Sequence, residues 1–102
     1  MYVTMNRFKI KPEYVDDYLK VWEEVQSKLQ LSDVAGFMKF KFFRMDCPKK
    51  DYVLFSSYAE WESKEKFMDW VHSEHFKSVH KTSGGNRHMY IDYPKLECFE
   101  VI

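Results

Sequence analysis

An excess of charge of either sign is missing from this chain. Its 102 residues carry 16 Lys and Arg against 16 Asp and Glu, so there is no broad positive field to draw it onto nucleic acid or an anionic membrane. Cysteine is scarce. Cys47 and Cys98 are too few and too far apart for a disulfide framework or a CxxC metal site, and they read as free thiols in a reducing compartment, a single bridge being the alternative. Long hydrophobic runs are absent too: no window approaches the ~18 apolar residues that span a bilayer. The opening "MYVTMNRFKIKPEY" lacks a basic start followed by a long apolar stretch. The expectation is a cytoplasmic protein with no membrane span. Phosphate-binding glycine loops are likewise missing, since "SGG" stands alone after a helix, and so are a GxSxG elbow and paired carboxylates in an apolar setting.

Aromatics, by contrast, are abundant. They make up 19% of a chain that is 45% hydrophobic, which excludes a fibrous or disordered polymer and promises large buried side chains and a flat, aromatic-lined cavity. The length allows one domain, residues 1–102. "YVTMNRFKI" alternates, with Tyr2, Thr4, Asn6, Phe8 and Ile10 on one face, and predicts a strand. Pro12 suits the first position of a helix of about 17 residues, along which Tyr14, Tyr18, Trp22, Val25 and Leu29 form an apolar stripe. "GFMKFKFFRM" and "DYVLFSSYAEW" read as strands of a hairpin joined by "DCPKKD". Ser63 can cap one short helix with Phe67, Trp70 and Val71 inward, and Ser73 a second with Phe76, Val79 and His80 inward. "HMYIDYPKLECFEVI" then returns to strand character, with Pro94 marking an edge, a bulge or an interruption. This order predicts an α+β, ferredoxin-like sandwich: an antiparallel sheet with helices on one face. The second strand places Met38, Phe40 and Phe42 on one face and Phe37 and Phe43 on the other. The uncovered face therefore has apolar material of its own, and the expected solution is a homodimer, a dimeric α+β barrel.

Two side chains do not fit a plain core. His80 shares an apolar helical face with Phe76 and Val79, where burial favours the neutral imidazole; it reads either as a ligand for a haem iron or another soft metal, or as a core histidine bonded to a backbone carbonyl. Asn6 shares its face with Phe8 and Ile10, so its amide is either satisfied internally or aimed into a pocket as a donor. Trp70, by composition alone, reads as core. His72 and His75 are three apart, but a helix break at Ser73 falls between them and no further Cys or His completes a site, so they read as solvent-exposed. His88 reads as the start of the last strand.

"MNRF" on the first strand, "FMDW" on one short helix and "FKSVHK" on the next, with His80 ten residues after Trp70, resemble the IsdG-type haem-degrading monooxygenases of the antibiotic-biosynthesis-monooxygenase superfamily. The likeness follows the element order over nearly the whole chain. It implies that His80 is the proximal ligand to haem iron, that Asn6 lies on the distal side and hydrogen-bonds the iron-bound oxygen species, and that Trp70 presses on the porphyrin plane and ruffles it. Phe76 and Val79 would line the haem slot beside them. The implied activity is oxidative opening of the porphyrin ring with O2 and electrons from an external reductase or small reductant, releasing iron and an open-chain tetrapyrrole. After His80 this chain has only the short "TSGGNRH" where some relatives carry a longer polar loop; Arg7, Lys81 and Arg87 remain as candidate anionic contacts. Two other readings share the fold: cofactor-independent oxidation of an aromatic or quinone-like substrate with His80 as base, and a non-catalytic haem carrier.

Overall fold

The computed structural model describes residues 1–47, 49–83 and 86–102, the side chains at 28, 29 and 80–83 excepted. Four strands, β1 (Tyr2–Ile10), β2 (Phe37–Arg44), β3 (Val53–Trp61) and β4 (Lys95–Glu100), alternate with α1 (Val15–Leu29) and the pair α2 (Lys64–Val71) and α3 (Glu74–Ser83). All strand pairs are antiparallel, in the order β2-β3-β1-β4. This is the ferredoxin-like α+β sandwich that the sequence pattern predicts, with the helices on one face of the sheet.

Each helix starts for a local reason. Pro12 opens a 3-10 turn, Pro12–Tyr14, that runs directly into α1, so the α-helix proper begins three residues later than the proline; Asp16 and Asp17 then face the positive end of the helix dipole. The Ser63 hydroxyl accepts from the Lys66 N–H at 3.2 Å and caps α2. Ser73 joins the next two helices: its hydroxyl donates to the Trp70 carbonyl at 2.6 Å and accepts from the Phe76 N–H at 3.1 Å. One side chain thus closes α2 and opens α3.

Two expectations of the sequence reading are corrected. A β-bulge between Phe37 and Lys39 breaks the alternation of β2. Phe37 consequently joins Phe40 on the helix-covered side, edge-on to Trp61 at 5.9 Å, and Met38 is left exposed; an extra residue in one strand turns the following side chains to the other face. His88 does not begin a strand. It lies in a 3-10 turn, Arg87–Met89, exposed and edge-on to Tyr14 at 5.1 Å, and the chain regains the sheet at Lys95, just after Pro94. A proline has no N–H for the ladder, and its ring fixes φ.

Between sheet and helices the core divides in two. Phe8, Ile10, Tyr18, Phe55 and Met89 form one cluster; Ala59, Trp61, Phe67 and Trp70 form the other. Along β1 and β3 the inward positions between them are polar: Thr4, Asn6 and Ser57. That polar interval is the floor of the site.

Candidate functional site

A cleft of about 820 Å³ opens over this floor. The sheet supplies Thr4, Asn6, Ser57 and Leu96; α1 supplies Val21, Trp22 and Val25; α2 and α3 supply Phe67, Trp70, Phe76 and Val79; the stretch from Tyr90 to Pro94 closes one side. The register sets Asn6 between Ser57 on β3 and Leu96 on β4. Thr4 is occupied, since its hydroxyl accepts from Trp61 Nε1 at 3.3 Å. Asn6 is different. It is half-buried, lines the cleft and makes no side-chain hydrogen bond among the described residues, so its amide is free to serve a ligand. Of the two readings open to Asn6 from sequence, the pocket-facing one is the observed one.

The walls are aromatic and fixed. Trp70 stacks on Trp61, with centroids 6.4 Å apart and planes 27° from parallel, and meets Phe76 edge-on at 5.5 Å. It is therefore both a core residue and a cleft wall, buried to 7% exposure yet lining the space. His75 is half-buried with its ring edge-on to Trp70 at 5.0 Å, where solvent exposure was expected; His72 lies beyond α2 and is exposed. Opposite, Trp22 stacks on Phe42 at 4.2 Å, and its indole N–H donates to the Tyr18 hydroxyl at 2.6 Å. Burial pushes the Tyr18 and Tyr90 phenols up from the ordinary tyrosine range, so both remain neutral donors and acceptors beside the cleft.

Of the residues singled out from sequence, the fold brings Asn6, Trp70, Phe76 and Val79 to one cleft. His80 follows Val79 on α3; its side chain lies outside the described residues, as does that of Lys81. Arg7 is on the opposite face of the sheet, paired to Glu97 at 2.7 Å, which removes it as a cleft cation. Arg87 does line the cleft. Sequence reasoning missed the α1 wall and Ser57. The signal for Ser57 was present, because it alternates with Phe55 and Ala59 on the inward face of β3. No group of three or more potential metal-ligating side chains occurs among the described residues, and no described helix is long and apolar enough to cross a membrane.

The family model for antibiotic biosynthesis monooxygenases matches residues 1–82. This chain belongs to that family. A heme-degrading monooxygenase of Listeria welshimeri is 34% identical over 50 residues, a stretch that covers 49% of this chain and 41% of the relative. The match thus spans less than half of the length of that curated relative. Among solved structures, the fold is shared with SnoaB, a cofactor-independent oxygenase from Streptomyces nogalater, at TM-score 0.70 and 12% identity over 98% of this chain and 91% of that one. It is shared also with a dimeric ferredoxin-like protein of Bacteroides fragilis at TM-score 0.72 and 11% identity over 98% and 95% of the two chains.

Proposed function

We propose that this family member is a haem-degrading monooxygenase that takes haem into the cleft and opens its porphyrin ring. The observation that carries the reading is the Asn6 amide, without a side-chain hydrogen bond among the described residues, on the floor of an aromatic-walled cleft whose other wall includes Trp70. A planar porphyrin suits such a space: the walls are apolar and flat, and the volume falls in the range of about 300–1,000 Å³ typical of small-molecule sites. The haem-degrading relatives support the choice of ligand. When bound, haem supplies the iron for oxygen activation and is itself the carbon framework that is opened, O2 and an external electron donor completing the reaction.

The chain's own residues divide the remaining work. His80, one position after the cleft-lining Val79, is the residue that would hold the haem iron. Asn6 offers its amide N–H on the sheet side of the cleft, placed by its neighbours in the β1 ladder before any ligand arrives. Trp70 is backed by Trp61 and would resist a ring pressed against it, favouring a bent ring. The apolar walls exclude water from the reacting centre. The working form is assigned as a homodimer in the cytoplasm, where Cys47 and Cys98, both free and exposed, remain thiols.

Absorbance titration with hemin, then reductant in air, tests the proposal. The expected result is a saturable Soret band that decays with release of ferrous iron, and loss of that band in His80→Ala. A saturable but stable band under several reductants would make the protein a carrier. Absence of binding would favour cofactor-independent oxidation of a flat aromatic substrate, the reading that the Streptomyces nogalater fold neighbour supports, with His80 as base.

A further inference from the structure

Among the described residues, two charged side chains line the cleft, Arg87 and Asp92. They are not equivalent. The Asp92 carboxylate lies 3.8 Å from Lys9 Nζ and is already partnered. Arg87 has no ion-pair partner among the described residues; its guanidinium carbon sits 5.9 Å from the centre of the Tyr93 ring. The backbone that carries Arg87 is anchored. The Arg87–Met89 turn is pinned by Met89, which is buried in the core at 7% exposure and whose carbonyl accepts from the Lys11 N–H at 2.9 Å. Tyr93 carries a large exposed ring beside the same opening, at 78% exposure, and lines the cleft. The result is a cation over an aromatic ring, with no ion-pair partner among the described residues, at the edge of an aromatic-walled space.

A guanidinium so placed suits a planar, two-oxygen anion, because its parallel N–H groups match a carboxylate in a fork that an ammonium cannot reproduce. We propose that Arg87, supported by Tyr93, anchors a carboxylate carried by the flat apolar ligand of the cleft. The ligand class follows: an extended aromatic or porphyrin-like ring with an acidic side arm at one edge, the ring between the aromatic walls and the acid at Arg87. This deepens the haem reading and rests on it for the identity of the ring, the acid then being a propionate; the charge requirement stands on Arg87 itself.

The test measures binding, by quenching of tryptophan fluorescence, of protoporphyrin IX and of its dimethyl ester to the full chain and to Arg87→Ala and Arg87→Lys. Because Arg87 is exposed, both variants should fold. Arg87→Ala should bind the diacid about tenfold more weakly and the ester as the wild type does, with Arg87→Lys in between, a loss in the range of charge-assisted hydrogen bonds. Undiminished binding of the diacid by Arg87→Ala, or an equal loss for diacid and ester, overturns the anchor. If the wild type binds neither porphyrin and hemin also gives no saturable Soret band, the haem reading fails. The anchor is then decided by 1-anilinonaphthalene-8-sulfonate against neutral N-phenyl-1-naphthylamine. A loss confined to the sulfonate in Arg87→Ala supports it, and no difference between the two probes overturns it.

Discussion

Under the proposed function, Asn6 and Trp70 would act on a bound ring in different ways, and the difference is measurable. Asn6 contributes one small amide to a wide cleft, whereas Trp70 contributes a large face locked between Trp61, His75 and Phe76. Asn6→Ala should therefore leave hemin affinity within about twofold while lowering turnover by about 10²-fold, the scale of losing one preorganised donor. Trp70→Ala should also retain haem but turn it over slowly, and stopped-flow spectra with ascorbate as reductant would separate binding from decay for both. Full activity in Trp70→Ala would end the ruffling role. The Trp70 variant will also be less stable, by roughly 3–5 kcal/mol if the site does not collapse, because a buried indole leaves a cavity behind. Trp70→Phe, which keeps most of the buried volume, controls for that loss. At this scale the sequence was informative for Asn6, a polar residue on an otherwise apolar strand face. It was less so for Trp70, whose double role as core and wall depends on where Trp61 stands.

Two elements depend on single small residues. Ser73 holds both the Trp70 carbonyl at the end of α2 and the Phe76 N–H at the start of α3. Ser73→Ala should cost about 1–2 kcal/mol, the range for an N-cap. On a domain of this size that lowers Tm by roughly 4–8 °C for each kcal/mol, readable by thermal denaturation followed by circular dichroism. The same variant should weaken hemin binding, because Trp70 and Phe76 flank the junction; an unchanged affinity would show that the cleft wall does not depend on this cap. Gly36 sits just before β2 with φ of 83°, in the left-handed region. A Cβ there would collide with the Cβ and Cγ atoms of Lys66 on α2. Gly36→Ala should therefore destabilise by more than the ~1 kcal/mol of the backbone term alone, and the urea midpoint would register it. Helix starts were legible because serine caps announce themselves locally. The bulge at Phe37 was not, since a strict alternation of apolar residues fits β2 equally well on paper, and only pairing with β3 decides which face each ring takes.

For the whole molecule, the outward face of the sheet carries apolar side chains that the helices do not cover. Phe43 and Phe99 remain about half exposed there, with Tyr58 edge-on to Phe43 at 6.3 Å. If that face closes on a second copy, sedimentation equilibrium should give twice the chain mass, and Phe43→Glu, which sets a carboxylate into the apolar patch, should shift the distribution to monomer. A wild type that sediments as a monomer at all concentrations would remove the dimer.

The sequence by itself determined the element order, the caps, the inward faces of β1 and the paired short helices, because periodicity and capping are local and each residue's neighbours along the chain are enough to specify them. It also carried the family resemblance, through "MNRF" and "FMDW". Only the tertiary structure decided that the inward polar positions fall between two core clusters, that α1 supplies the opposing wall, and that Arg7 is spent on Glu97 while Arg87 faces the cleft. Those outcomes depend on strand register and on the path of the chain from Asn86 to Lys95, which bring together residues far apart in sequence; no local pattern encodes such distances.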